Sequence, residues 1–225
     1  MYPTRPLVMG DHRDSGAAME ELGYVISLDG EMYNRFNKKR KKTVIAGYDV
    51  WQVMYQKGLA KTRTLRCNIG VYSAWLEDRD TIGYNIHHVN HCATDNHLFN
   101  LVKLANRDHL NYHIAFDRLS NKNQVILLKV FQYIGKLYFN KAYSISRIFG
   151  EEKSRDQILD LYKKFEKEVM QLIEAVMNNS ASLDWLLYSL GCEVGEVKDG
   201  EFTQEQIDQF LKSYKEETND FKSKN

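Results

Sequence analysis

Proline is nearly missing from this chain. Pro3 and Pro6 are the only two, so beyond residue 6 no ring forces a helix or strand to stop. Cysteine is scarce as well. Cys67, Cys92 and Cys192 form no C-x-x-C pair, and three thiols cannot make a four-cysteine zinc site. The spacing argues against a disulfide framework, and the pattern suits an intracellular protein. No run approaches the ~18 to 20 apolar residues of a membrane span, and the first residues lack the apolar stretch of a secretory leader. No membrane partner and a cytoplasmic location are therefore expected. Neither sign of charge dominates: 31 basic against 30 acidic side chains leave a net charge of +1. Any grip on a polyanion must come from a local patch.

What remains is an ordinary globular composition, 43% hydrophobic and 27% charged over 225 residues, enough for one large or two small domains. One residue type is concentrated. Six of the seven histidines fall between His87 and His113, a density that points to a metal or catalytic site. His87 and His88 are adjacent and follow a short apolar run that reads as a strand. Asn100 precedes Leu101-Val102-Lys103-Leu104, which also reads as extended. Asn106 and Asp108 then open a helix, as a cap and a first-turn acid. His109 and His113 stand four apart on it, so both imidazoles point the same way and can share an ion. The predicted order is strand, loop, strand, helix.

In that order and spacing, residues 80–118 resemble the HNH endonucleases with their ββα-metal fold. The pattern comprises His87-His88, Asp95-Asn96, Asn100-Leu101, His109 and His113, and is most similar to the colicin-type branch with histidine ligands. The resemblance implies that His87, His109 and His113 hold one divalent ion, that His88 is the general base, and that Asn100 ties the loop so that His88 points correctly. It also implies double-stranded DNA as partner, with 5′-phosphate and 3′-hydroxyl products. A phage or mobile-element homing enzyme, in a bacterial cell or phage-infected host, is the first expectation, and a defence or toxin nuclease the next. The alternative is a non-catalytic module in which a structural zinc supports DNA or protein binding. Magnesium and zinc are the first candidates for the ion. Three imidazoles by intrinsic affinity favour zinc, nickel, cobalt or manganese.

The remaining segments are read around this core as an α+β chain. Residues 1–20 are expected to form a flexible arm, 21–80 a mixed α/β basic region, 81–119 the nuclease motif, and 122–225 a helical domain able to mediate homodimerisation. A hairpin turn is predicted at Asp29-Gly30. Lys38, Lys39, Arg40, Lys41 and Lys42 form the most basic stretch and, with Arg107, are the predicted DNA contacts. Lys103 and Arg118 are either phosphate contacts or solvated charges. Residues 48–58 show apolar positions at helical spacing and a glycine stop, which predicts a helix with Trp51 and Tyr55 in the core. Residues 61–66 alternate like an edge strand, and 68–76 read as a short helix or a loop. His91 and His97 are expected to be loop histidines without a special role, and Asp95 and Asn96 to shape the loop. Residues 143–150 faintly resemble a helix-turn-helix with Gly150 in the turn. Glu151 and Asp156 stand where apolar residues belong, so plain helical packing is expected.

Overall fold

The computed structural model describes residues 4–7, 23–54, 62–78 and 82–178, together with helical positions 183, 187, 205, 206 and 208–212. The chain is mixed α+β, with small antiparallel sheets towards its N-terminal side and helices after them.

Three strands form the first sheet: β1 (Thr4–Pro6), β2 (Val25–Ser27) and β3 (Met32–Tyr33), in that order. Residues 4–7 are thus not part of an arm. Leu7 is fully buried, and its N–H donates to Tyr24 O. The rest of 1–22 lies outside the described residues. The hairpin joining β2 to β3 turns where predicted, with Gly30 at φ 78°. A Cβ there would meet the carbonyl oxygen of Asn96 at 2.5 Å, so the turn is pressed against the histidine-bearing loop. Leu98 N–H donating to Leu28 O fastens the same contact.

The second sheet has β4 (Lys42–Ile45), β5 (Tyr48–Met54) and β6 (Thr62–Arg66). The predicted helix over 48–58 is therefore a strand through Met54; 55–58 fall outside the described residues. Its apolar positions also obey a period of two. Trp51 and Val53 are buried, and Gln52 and Met54 are exposed. Valines and aromatics favour the pleated conformation once strands pair on both sides. Trp51 is core, as expected. The predicted edge strand is β6, and 68–76 resolve as helix α1 (Cys67–Leu76). Eight of its ten residues are buried, which explains the lack of a polar face.

The histidine region forms a hairpin of β7 (Tyr84–His88) and β8 (Leu101–Ala105). A 3-10 turn (Leu98–Asn100) leads into β8, and α2 (Asn106–Asp117) follows directly. Helical backbone then runs from Asn121 to Met177 as α3, capped by Ser120, whose Oγ accepts from Asn123 N–H. This helical stretch cannot be straight. Tyr138 and Phe165 would stand about 40 Å apart along one axis, yet their ring centroids are 5.8 Å apart. The path reverses between them, and Gly150 is helical, in keeping with the plain helical packing expected there.

Both limbs of α3 close on Phe99, whose ring lies 6.1 Å from Tyr138 and 5.5 Å from Phe165. Tyr162 Oη donates to Leu101 O at 2.8 Å in a buried site. The helices from Asn121 on thus share one core with the histidine hairpin rather than forming a domain of their own. Among the described residues no helix is long and apolar enough to cross a membrane.

Gly135 marks the tightest approach in this core. A Cβ there would lie 2.5 Å from Phe99 O, a backbone atom that cannot step aside. Gly135→Ala gains about 1 kcal/mol of helix propensity and loses more, up to about 3 kcal/mol, to overpacking. Urea denaturation should show a net loss of about 1–2 kcal/mol. An unchanged midpoint would mean that α3 slides on the hairpin.

Candidate metal centre

Successive residues of a strand face opposite ways, and β7 uses this to send its two histidines into different surroundings. His87 points to α2. Its ring centroid lies 5.1 Å from those of both His109 and His113. One nitrogen from each of the three can be chosen so that all lie within 4.8 Å of one another. His109 and His113 share a face because they are one turn apart, and their Nε2 atoms are 3.3 Å apart. Two nitrogens bound to a tetrahedral ion at about 2.05 Å would stand about 3.3 Å apart, so this pair already has the spacing of a zinc ligand edge. His87 is 4% exposed, and its Nε2 is buried with no hydrogen-bond partner. A buried imidazole nitrogen left unpaired is costly, and an ion is the partner that fits this donor set.

Protonation suits ligation as well. Burial holds His87 well below the usual histidine range, and repulsion from His91, His109 and His113 pushes it the same way. His109 is lowered by burial and then by His113. Neutral imidazoles are what a metal requires.

His88, 5% exposed, faces the other side. Its Nε2 lies 3.0 Å from Asn96 Oδ1. The amide orientation is fixed, because Asn96 Nδ2 donates to Thr94 O at 3.1 Å and to Asp49 Oδ2 at 3.3 Å. Oδ1 can only accept, so Nε2 carries the proton and Nδ1 keeps the basic lone pair. Burial lowers His88, opposed by the Asn96 bond and then by the Asp95 and Asp49 carboxylates. Asp49 is itself 3.8 Å from Lys42.

Asn100 serves the loop rather than His88 directly. Its Oδ1 accepts from Asn90 N–H at 3.0 Å, and its Nδ2 donates to Asn90 Oδ1 and Asp95 O at 2.9 and 2.7 Å. The group that touches His88 is Asn96. His91 also departs from expectation. It sits at φ 58°, with its ring 5.1 Å from His113 and 4.4 Å from Phe116, and Nε2 3.2 Å from Tyr112 Oη. Burial pushes it down to about 4. His97 packs against Phe139 and lies 3.7 Å from Asp95. Neither is a bare loop histidine.

The two histidine faces meet at a cavity of about 320 Å³, lined by His87, His88, His109 and His113 and also by Tyr48 and Arg66. None of Lys38, Lys39, Arg40, Lys41, Lys42 and Arg107 lines it. Lys39 and Lys42 pair with Glu31 at 3.1 and 3.0 Å, and Arg40 donates to Gln52 O. Lys38, Lys41, Arg107 and Arg118 are exposed. Lys103 pairs with Asp78 at 2.7 Å. Nothing in the sequence marked Arg66, Tyr48 or Asp49 apart from the basic alternation of 61–66.

Five histidines, His87, His88, His91, His97 and His109, are lowered in the fold. The unfolded chain therefore takes up protons first, near the ordinary value of about 6.5, and stability falls as pH drops below that. Above it these groups are neutral in both states and contribute no slope. Denaturation of the metal-free protein should show a plateau above about pH 7 and a steep loss towards pH 5. A flat profile would mean that these rings are not held neutral.

Comparison with protein-family models, with curated proteins and with solved structures gave no match.

Proposed function

We propose that this chain is a metal-dependent HNH endonuclease that hydrolyses DNA phosphodiester bonds, with β7, β8 and α2 as its ββα-metal core. A phage or mobile-element homing role is the biological setting this suggests. The observation that carries the reading is the division of labour on β7: His87 joins His109 and His113 at one point, while His88 presents a tautomer-fixed imidazole to the same cavity.

His87, His109 and His113 would hold the ion. When bound, a divalent ion offsets charge on the phosphate and the leaving 3′ oxygen. The chain supplies the rest. His88 Nδ1 accepts a proton from water as the oxygen attacks phosphorus, and the positive charge that develops on the ring is eased by the Asn96 amide backed by Asp49. Asn100 keeps the loop from unwinding and so holds both partners in register. Tyr112 and Phe116, both buried, pack against His87 and His91 and help hold those rings in place.

The second reading is a structural zinc module, and His91 is what favours it. A fourth imidazole beside the triad could close the coordination shell. Against it, His91 Nε2 is engaged by Tyr112 Oη.

A supercoiled-plasmid assay across magnesium, manganese, nickel and zinc, with a chelator control, separates the two. Metal-dependent nicking or linearisation is the expected result. A protein that binds zinc and DNA but cuts neither plasmid nor duplex in any metal would be the module instead.

A further inference from the structure

The predicted basic stretch is largely occupied with its own carboxylates and carbonyls, which leaves open what holds a phosphate at the cavity. Arg66 lines the same cavity as the triad. It ends β6 at the residue preceding α1, so the sheet fixes its backbone through the Val50–Arg66 pairing. Its guanidinium carbon lies 4.6 Å from the centroid of Tyr48, and Tyr48 in turn stands 6.1 Å from His88. A stacked guanidinium keeps its edge donors free while its plane is held, which is the preorganisation a phosphate oxygen needs.

The wall beside it is electropositive for a second reason. The first turn of α1 has no side-chain cap and no acidic residue, and its Asn68 and Ile69 line the same cavity. Uncapped N–H groups carry partial positive charge and attract anions. The same cavity is lined by His87, whose buried, unpartnered Nε2 marks the candidate metal seat.

We infer that Arg66, held in place by Tyr48 beside the open first turn of α1, binds a backbone phosphate of the nucleic acid in this cavity. This rests on the nuclease reading above, and it assigns to Arg66 the phosphate contact that composition alone gave to Lys38–Lys42. Tyr48 is a positioning residue: it orients the guanidinium and touches no phosphate.

The test is equilibrium binding of a fluorescent DNA duplex in the full chain carrying His88→Ala, with zinc present, over roughly 50–200 mM salt. Each phosphate neutralised contributes about 0.9 to the slope of log affinity against log salt. Arg66→Ala should therefore flatten the slope by about one and weaken binding about eightfold at 0.1 M salt. Arg66→Lys should keep the slope and recover part of the affinity. Tyr48→Leu should keep the slope, since the charge remains, and lose affinity by less than Arg66→Ala. Arg66 is exposed, so these variants should fold; Arg66→Gln repeats the charge removal if the alanine form loses its zinc-induced stabilisation. An unchanged slope in the Arg66 variants, with the parent binding well, overturns the assignment and leaves the nuclease reading intact. Failure of the parent to bind the DNA duplex overturns both.

Discussion

His88→Ala should reduce phosphodiester cleavage by about 10²- to 10⁴-fold, the usual worth of a positioned general base, with zinc affinity and fold retained. The separation follows from where the ring points. His88 is not among the three clustered nitrogens, and its bond to Asn96 lies on the opposite face of β7 from His109 and His113. Removing it leaves His87 free to ligate but leaves no imidazole held by Asn96 and Asp49 to take the proton from water. The loss should sit in kcat, because the base acts in the transition state and contributes little to ground-state binding. Plasmid cleavage under single-turnover conditions, alongside zinc titration of both proteins, reads the two quantities separately. If His88→Ala cuts as fast as the parent, His88 is not the base. If cleavage and zinc affinity fall together, the ring belongs to the metal site and the division along β7 is wrong.

The centre was legible in the sequence because its spacing is local. His109 and His113 are one helical turn apart, and His87 is the last residue but one of a strand whose partner leads straight into that helix. Long-range support was not legible. Asp49 reaches Asn96 across 47 residues, from a segment whose apolar spacing fits a helix and a strand equally well. Only pairing with β4 and β6 decides for the strand. The charges of Lys39 and Lys42 read as a binding patch because Glu31, which takes both, lies outside the run. The helical half followed the same rule. With no proline after residue 6, a helical domain was expected over 122–225, and Asn121–Met177 is helical. The two limbs fold back on each other around Phe99, a residue of the hairpin that no helical periodicity could reveal.

His109→Ala should leave the metal-free protein nearly as stable as the parent and abolish its response to zinc. His109 is only half-buried on α2, and burial and then His113 make its ring costly to protonate, so removing it costs the metal-free fold little. With zinc at about 100 times its dissociation constant the parent should gain about 2.7 kcal/mol, since the ion binds the native state alone. The variant keeps two imidazoles, too few to hold the ion against water and buffer, and should gain little. Thermal or urea denaturation with and without zinc measures both, and an equal gain in the two proteins would place the ion elsewhere. The same titration decides what the ion is for. If cleavage and stabilisation rise with one midpoint, a single ion at His87, His109 and His113 both supports the fold and serves the reaction. If stabilisation saturates with zinc while cleavage needs a second metal at higher concentration, the three histidines are structural. His88 would then act beside an ion that they do not hold.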